Sequence, residues 1–492
     1  MPVYKVKVKW QKQKFDDIDL DTDEPPEVFK AQLFALSGVQ PDRQKVMLKG
    51  STLKDEGWET LKGLKNGVTL MMMGTADALP QEPVERPKFV EDMSEAELNK
   101  AMELPAGMTN LGNTCYMNAT VQCLRNVPEL KEVLKRFQGG LSSSGDLTAA
   151  QSITAAFRDL NGSMDGGSAT ITPIVLLQVL HMAFPHFAEK AEQGGFRQQD
   201  ANECWVEMVR MLQQKLPPVE RVGTELIPVP EQGKVKRFMD QFFSGELVST
   251  MKCVESEEEE EKTSSETFFQ LSCFISQDVK YMQLGLQSRL EEIITKQSPS
   301  LGRDAQYKKT SKVRRLPAYL TIQMVRFFYK EKENVNAKIL KDVKFPMSLD
   351  LFDMCTADLQ TKLEPVRSKF KEEEDRKVEE AQKAKEAGKK VVQNKNVQYE
   401  PYDFPDDIGS NNSGYYTLQA VLTHQGRSSS SGHYVGWIRR EDDWIKCDDD
   451  KVYAVTEEDV LKLSGGGDWH CAYVLLYGPR RLEVPPPEKM ET

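Results

Sequence analysis

The sequence predicts an α+β protein built from more than one domain. Alternating runs flank one helical stretch within the first 73 residues. Apolar residues recur at helical spacing between 115 and 187, and short β-rich runs dominate from Thr267 onward. At 492 residues the chain is long enough for roughly two to four domains. With 39 % hydrophobic and 29 % charged residues it can bury a sizeable core. The net charge of −11 argues against nucleic acid as a partner and suits a basic partner surface. No apolar run approaches the ~18 residues of a membrane span, and the N-terminus lacks a signal-peptide pattern. Eight cysteines without a CxxC pair do not resemble a disulfide framework, which points to the cytoplasm and nucleus.

Taken in order, Val3–Trp10 alternates as a half-buried strand does, and residues 15–20 form its hairpin partner. Pro25 and Pro26 open a helix through Val28, Leu33 and Leu36, which Gly38 ends. Residues 46–48 and 68–73 read as strands, giving a β-grasp order in residues 1–76. Met47 and Met73 fit an exposed recognition face or the core equally well. Residues 77–98 are rich in Pro and charge and read as a linker to a second domain, 99–480, with a tail at 481–492. Within that domain, residues 128–137 and 174–187 read as helical, and 161–167 and 217–236 as surface loops. The acidic run 256–262 reads as a solvated loop. Strands are expected at 268–274, 319–329, 343–345, 415–422, 433–439, 444–447 and 472–477. A Lys- and Glu-dense insertion at about 366–397 reads as an exposed helix or a disordered segment, and the tail from Arg480 as frayed.

The chemistry centres on residues 108–124, MTNLGNTCYMNATVQCL. Gly112 supplies a turn, Asn113 or Thr114 an N-cap, and Met117, Val121 and Leu124 recur at i, i+4 and i+7. Cys115 then sits in the first helical turn, where free N–H groups and the dipole favour a thiolate. Asn110 carries an amide that can help hold an oxyanion. A nucleophilic cysteine needs a base, and the chain offers five histidines. His433 follows Gly432 at a strand start, after the polar loop Arg427, Ser428, Ser429, Ser430 and Ser431. The next strand runs into Asp448, Asp449 and Asp450, and an antiparallel neighbour puts one carboxylate beside the imidazole. Asp448 is favoured, with Asp449 second. His424 competes as base, but its THQG setting reads as a turn. His470 and Cys471 face opposite ways on a strand, which speaks against a metal site there.

Residues 110–118 (NLGNTCYMN) resemble the cysteine box of the ubiquitin-specific proteases. Residues 198–203 (QQDANE), 316–320 (LPAYL) and 324–327 (MVRF) resemble further boxes of that family. Residues 432–435 (GHYV), 444–449 (WIKCDD) and 472–477 (AYVLLY) match its histidine box. The motifs run in family order from 106 to 477. Residues 38–73 resemble ubiquitin, but Gly74 and Thr75 continue the chain where ubiquitin ends in a diglycine, which suggests a docking module.

The resemblance implies a papain-like catalytic domain with thumb, palm and β-rich fingers, joined to a ubiquitin-like domain. It implies Cys115 as nucleophile, His433 as general base, Asp448 as its orienter and Asn110 in the oxyanion hole. Gln198, Gln199, Asp200 and Tyr434 are implied to contact the substrate. Ubiquitin and polyubiquitinated proteins are the implied partners. So is the proteasome regulatory particle, reached through both domains, with the polar 427–432 loop acting as a gate that phosphorylation can displace. No cofactor is expected. Relatives with finger zinc use paired CxxC motifs, whereas this chain has only Cys253 and Cys273 in that region. Cys447 precedes Asp448 and puts a second, oxidisable thiol near the site. The competing readings are a catalytically silent ubiquitin-binding adaptor and a general papain-type protease. The complete Cys, His, Asp and Asn positions argue against the first, and the ubiquitin-like region argues against the second.

Overall fold

A computed structural model describes residues 3–55, 57–75, 104–140, 148–191, 194–223, 225–230, 236–330, 335–386, 398–428 and 431–484. The chain divides into two compact units, Met1–Asp92 and Met93–Thr492. The whole of the expected linker, residues 77–98, lies outside the described residues.

In the first unit, Val3–Trp10 pairs antiparallel with Gln13–Asp21 and parallel with Thr69–Met73. Lys45–Leu48 and Ser51–Thr52 complete a five-stranded β-grasp sheet. Strand alternation turns Val6, Val8 and Trp10 inward, against the helix Pro26–Ser37. That helix ends at Gly38 in the left-handed conformation, as expected. Its buried face is different from the expected one: Phe29 and Leu33 point inward, while Val28 and Leu36 are exposed. The i, i+4 pair Phe29 and Leu33 sets the face, and Val28 lies one ~100° step away from it. Met72 is buried, whereas Met73 is half exposed and Met47 partly so, which puts both on the outer face rather than in the core.

The second unit places helices against a ten-stranded sheet. Its main path runs Leu271–Phe274, Leu320–Val325, Cys471–Pro479, Tyr415–Ser428, Ser431–Arg440, Asp443–Asp448 and Lys451–Val455. The helices Cys115–Arg125, Pro128–Arg136, Ala149–Asp165, Ile174–Ala183 and Ala201–Lys215 share one core with one face of this sheet. A second core fills the other face. Along Ser431–Arg440, Tyr434 and Ile438 join the first core while Val435 and Trp437 join the second. Burial on both faces explains why Cys471–Pro479 is apolar almost throughout rather than alternating. Four antiparallel strands, Gly245–Cys253, Lys262–Phe268, Glu291–Gln297 and Asp304–Arg315, form a separate sheet that corresponds to the fingers.

Several expectations need correction. Residues 161–165 belong to the helix Ala149–Asp165, whose last turns bury Leu160 and Met164, and Asn161 donates its amide to Phe157 O at 2.8 Å. Residues 217–236 contain the hairpin Val219–Val222 and Glu225–Pro228. The run 319–329 breaks at Arg326, whose buried guanidinium bonds the carbonyls of Ala472, Ile339, Lys341 and Ser464. The run 268–274 likewise divides between two sheets. Residues 343–345 form no named strand: Val343 N bonds Ser464 O, and Lys344 makes an isolated parallel bridge to Tyr281 through Lys280 O and Met282 N. The acidic run is a loop through residue 261, as expected, and within it Glu259 accepts from Ser298, Ser300 and Tyr307, bonds that depress its carboxyl to about 2. The insertion begins as a helix, Ala357–Glu386, anchored by buried Phe370. Residues 387–397 lie outside the described residues.

The tail is not frayed where it is described. Arg481 donates to Glu129 Oε1 at 3.1 Å, beside Tyr402, whose hydroxyl donates to the same carboxylate at 2.8 Å. Glu400 N and Val484 N add backbone bonds across to the tail and the insertion's return. Arg481 is partly exposed, so Arg481→Met should cost about 1–3 kcal/mol in urea denaturation, below the figure for a fully buried pair.

Candidate active site

Cys115 opens the helix Cys115–Arg125, with Thr114 at the N-cap position. Thr114 Oγ1 does not cap the helix. It accepts instead from Leu111 N at 2.9 Å and steadies the preceding turn. Every residue of this helix is buried, so the expected single apolar face is in fact a helix enclosed on all sides. It can lie so close to the sheet because Gly436 faces it. A Cβ there would come within 3.3 Å of Ala119 O.

That approach brings the strand Ser431–Arg440 alongside the nucleophile. His433 Nε2 meets Asp448 Oδ1 at 2.6 Å, and the Cys115 thiol is the imidazole's other polar neighbour. The bond to Asp448, followed by the interaction with Cys115, raises the imidazole to about 10 despite partial burial. The same bond to His433, supported by Lys446, depresses the Asp448 carboxyl well below its usual range. Lys446 Nζ holds Asp448 Oδ2 at 2.9 Å. Lys446 escaped the sequence reading, although its i, i+2 spacing places it on the same strand face as Asp448.

Asp449 has a different task. Its two carboxylate oxygens accept from Asn118 Nδ2 and Asn110 Nδ2, each at 2.8 Å. Burial raises its pKa against these bonds. Asn110 Oδ1 accepts from Gly112 N and Thr114 N, at 3.0 and 3.1 Å. Asn110 is therefore tied into the cysteine loop, with one amide hydrogen committed to Asp449.

The remaining site residues separate. Gln198 Nε2 lies 3.4 Å from Cys115 Sγ, directly at the nucleophile. Gln199 Nε2 donates to His186 O at 2.9 Å and holds the scaffold. Asp200 caps the helix Ala201–Lys215 through Asn202 N and Glu203 N and accepts from Tyr473 at 2.8 Å. Tyr434 corrects the expectation of a substrate contact: it is buried, its ring packed against His424 and Tyr473. His424 lies within the strand Tyr415–Ser428, not in a turn, and burial first, then Lys338, lowers its imidazole to about 3. His470 Nδ1 pairs with Thr423 Oγ1 at 3.1 Å. Cys447 is buried and burial pushes its thiol to about 12, which makes it unreactive rather than oxidisable.

The polar segment after His424 continues both strands as a hairpin, in which Ser428 opposes Ser431 and Arg427 Nε reaches Asp468 Oδ2 at 3.1 Å. Ser429 and Ser430 lie outside the described residues. Among the described residues, His433, Asp448 and Asp449 form the one group of metal-type ligands. Lys446, Asn110 and Asn118 already occupy its carboxylates. Cys253 and Cys273 lie in different hydrophobic clusters.

A thiol at a helix start, an imidazole beside it and a carboxylate behind the imidazole, set between a helical half and a sheet, define a papain-like thiol hydrolase. The ubiquitin carboxyl-terminal hydrolase family matches residues 106–477. The chain is 41 % identical to ubiquitin carboxyl-terminal hydrolase 7 of Arabidopsis thaliana, over 97 % of this chain and 99 % of the relative. It is 41 % identical to ubiquitin carboxyl-terminal hydrolase 14 of Caenorhabditis elegans, over 99 % and 96 %. It is 39 % identical to ubiquitin carboxyl-terminal hydrolase 6 of Schizosaccharomyces pombe, over 96 % and 98 %. The chain belongs to the ubiquitin carboxyl-terminal hydrolase family and is a cysteine-dependent ubiquitin hydrolase.

His433 gives the site a pH signature. Asp448→Asn should move its titration from near 10 down toward the ordinary ~6.5, followed by NMR of the ring protons. A His433 pKa unchanged in that variant would contradict the geometry.

Proposed function

We propose that the protein hydrolyses the isopeptide bond after the C-terminal glycine of ubiquitin on proteasome-bound substrates. The observation that carries this reading is His433 held by Asp448 at 2.6 Å with the Cys115 thiol as its other polar neighbour. The Cys115 thiolate attacks the glycine carbonyl. Its oxyanion is held by backbone N–H groups at the helix start and by the amides of Asn110 and Gln198. The His433 imidazolium passes its proton to the leaving lysine amine, and a thioester remains. Water then attacks the thioester, His433 takes a proton from it, and the thiolate leaves. Asp448 keeps the imidazole oriented throughout.

Docking on the proteasome is assigned to the ubiquitin-like unit, together with the catalytic unit. Half-exposed Met71 and Met73 support a recognition face on the first unit. The hairpin around Arg427 is assigned the gate. Its strand leads straight into His433, so a shift of the tip is felt at the base. A phosphate on Ser428 or Ser431 adds negative charge beside the Arg427–Asp468 pair and favours displacement. The cytoplasm and nucleus are the compartments this role requires.

Covalent capture by ubiquitin carrying a C-terminal electrophile tests the reading. Capture should be weak alone and strong with proteasomes, and absent in Cys115→Ala, which still binds ubiquitin. Equal capture in both conditions would remove the gate, and cleavage retained in Cys115→Ala would remove the nucleophile. Asn110→Ala should lose about 10²–10³ in kcat, the usual worth of one oxyanion donor, and still turn over.

A further inference from the structure

The strand face that carries His433 and Asp448 also carries Trp437 and Lys446, which lie opposite one another. Together with Lys462, Leu463, Trp469 and His470 they line a cavity of about 510 Å³. That volume is ordinary for a small-molecule site. The walls are aromatic and the charged groups lining them are cationic, in a chain whose net charge is −11. One wall is fixed: Trp437 Nε1 donates to Thr423 Oγ1 at 3.0 Å, and the same oxygen meets His470 Nδ1. The other wall is Trp469, 52 % exposed, lying against Gly467, where a Cβ would overlap its ring. Neither indole lining this cavity has a role in the hydrolysis described above.

We propose that this cavity binds a small aromatic anion and that its occupancy is transmitted to the catalytic pair through Lys446. The ring would lie between the indoles of Trp437 and Trp469. The anionic group would take hydrogen bonds from Lys446 and Lys462, which are also paired with Asp448 and Asp459, both at 2.9 Å. Each ammonium has three donors, so neither is exhausted by its present partner. At Lys446 the ligand competes with Asp448 Oδ2 for the same charge. Asp448 then loses the anchor that fixes its other oxygen on His433. The ionisable groups facing this junction are His433, Asp448, Lys446 and His470, with Asp459 and Lys462 at the rim. Binding stands on the cavity alone, whereas the effect on turnover rests on the catalytic reading of His433 and Asp448.

Calorimetric titration of the full chain with 2-naphthoate, and with neutral 2-naphthylmethanol, tests the binding. A parallel titration of ubiquitin-amidomethylcoumarin hydrolysis tests the coupling. Saturable 2-naphthoate binding is expected, about tenfold weaker in Lys462→Gln, as for loss of one charge-assisted bond. It should be lost in Trp469→Ala, and the neutral alcohol should bind about tenfold more weakly than the anion. Basal hydrolysis should be unchanged in both variants. At saturation the wild type should slow about fivefold or more, the low end of ordinary coupling between sites. Absence of saturable binding, or equal binding by both variants, would overturn the site. Binding to Cys115→Ala with no slowing of the wild type would overturn the coupling alone.

Discussion

The closest constraint on this molecule is the contact between the helix Cys115–Arg125 and the strand Ser431–Arg440. The nucleophile and its base are more than three hundred positions apart in sequence. They meet only because a wholly buried helix rests on a sheet that lacks a side chain at Gly436. A Cβ at that point would push the helix outward by a few tenths of an ångström and move the thiol away from the imidazole. The two-sided core then follows. The sheet must be covered on the Cys115 face by helices and on the other by the second apolar cluster, or the strand bearing His433 would bend away.

Legibility in the sequence divides along physical lines. The strands Val3–Trp10 and Cys471–Pro479, the first-turn position of Cys115 and the pairing of His433 with Asp448 were readable, because period and strand adjacency determine them. Helix faces were less so: Val28 and Leu36 are apolar yet exposed, since Phe29 and Leu33 decide which stripe goes inward. Asn161 and Gly162 read as loop residues, yet they lie inside a helix whose turns here bury Leu160 and Met164. The run holding Glu259 read as a solvated loop and the tail holding Arg481 as frayed. Their partners, Ser298, Tyr307 and Glu129, arrive from distant segments that no local pattern reveals.

The same limit applies within the site. Residue types announced a thiol, an imidazole and carboxylates, but not which polar group serves chemistry and which serves the scaffold. Gln198 and Gln199 are neighbours, yet one meets Cys115 and the other the carbonyl of His186. Tyr434 follows the base and is nevertheless core, because adjacent strand residues face opposite sides.

Asp448 and Asp449 carry this division furthest. Two consecutive carboxylates this close would repel if they shared one environment. The backbone at Asp449 takes a left-handed φ of 52°, and its carboxylate bonds Asn110 and Asn118 rather than His433, although it lies within 4.8 Å of the imidazole. Asp448 is left with a cation on each oxygen when His433 is protonated, and its pKa falls. Asp449 faces two neutral amides in a more buried setting, and its pKa rises. Charge is thus concentrated where the imidazolium forms. The loop carrying Asn110 is held by a carboxylate that competes little for the same proton. A site built this way keeps its base oriented by one acid and its oxyanion loop by the next, and the reversal of one backbone angle separates the two tasks.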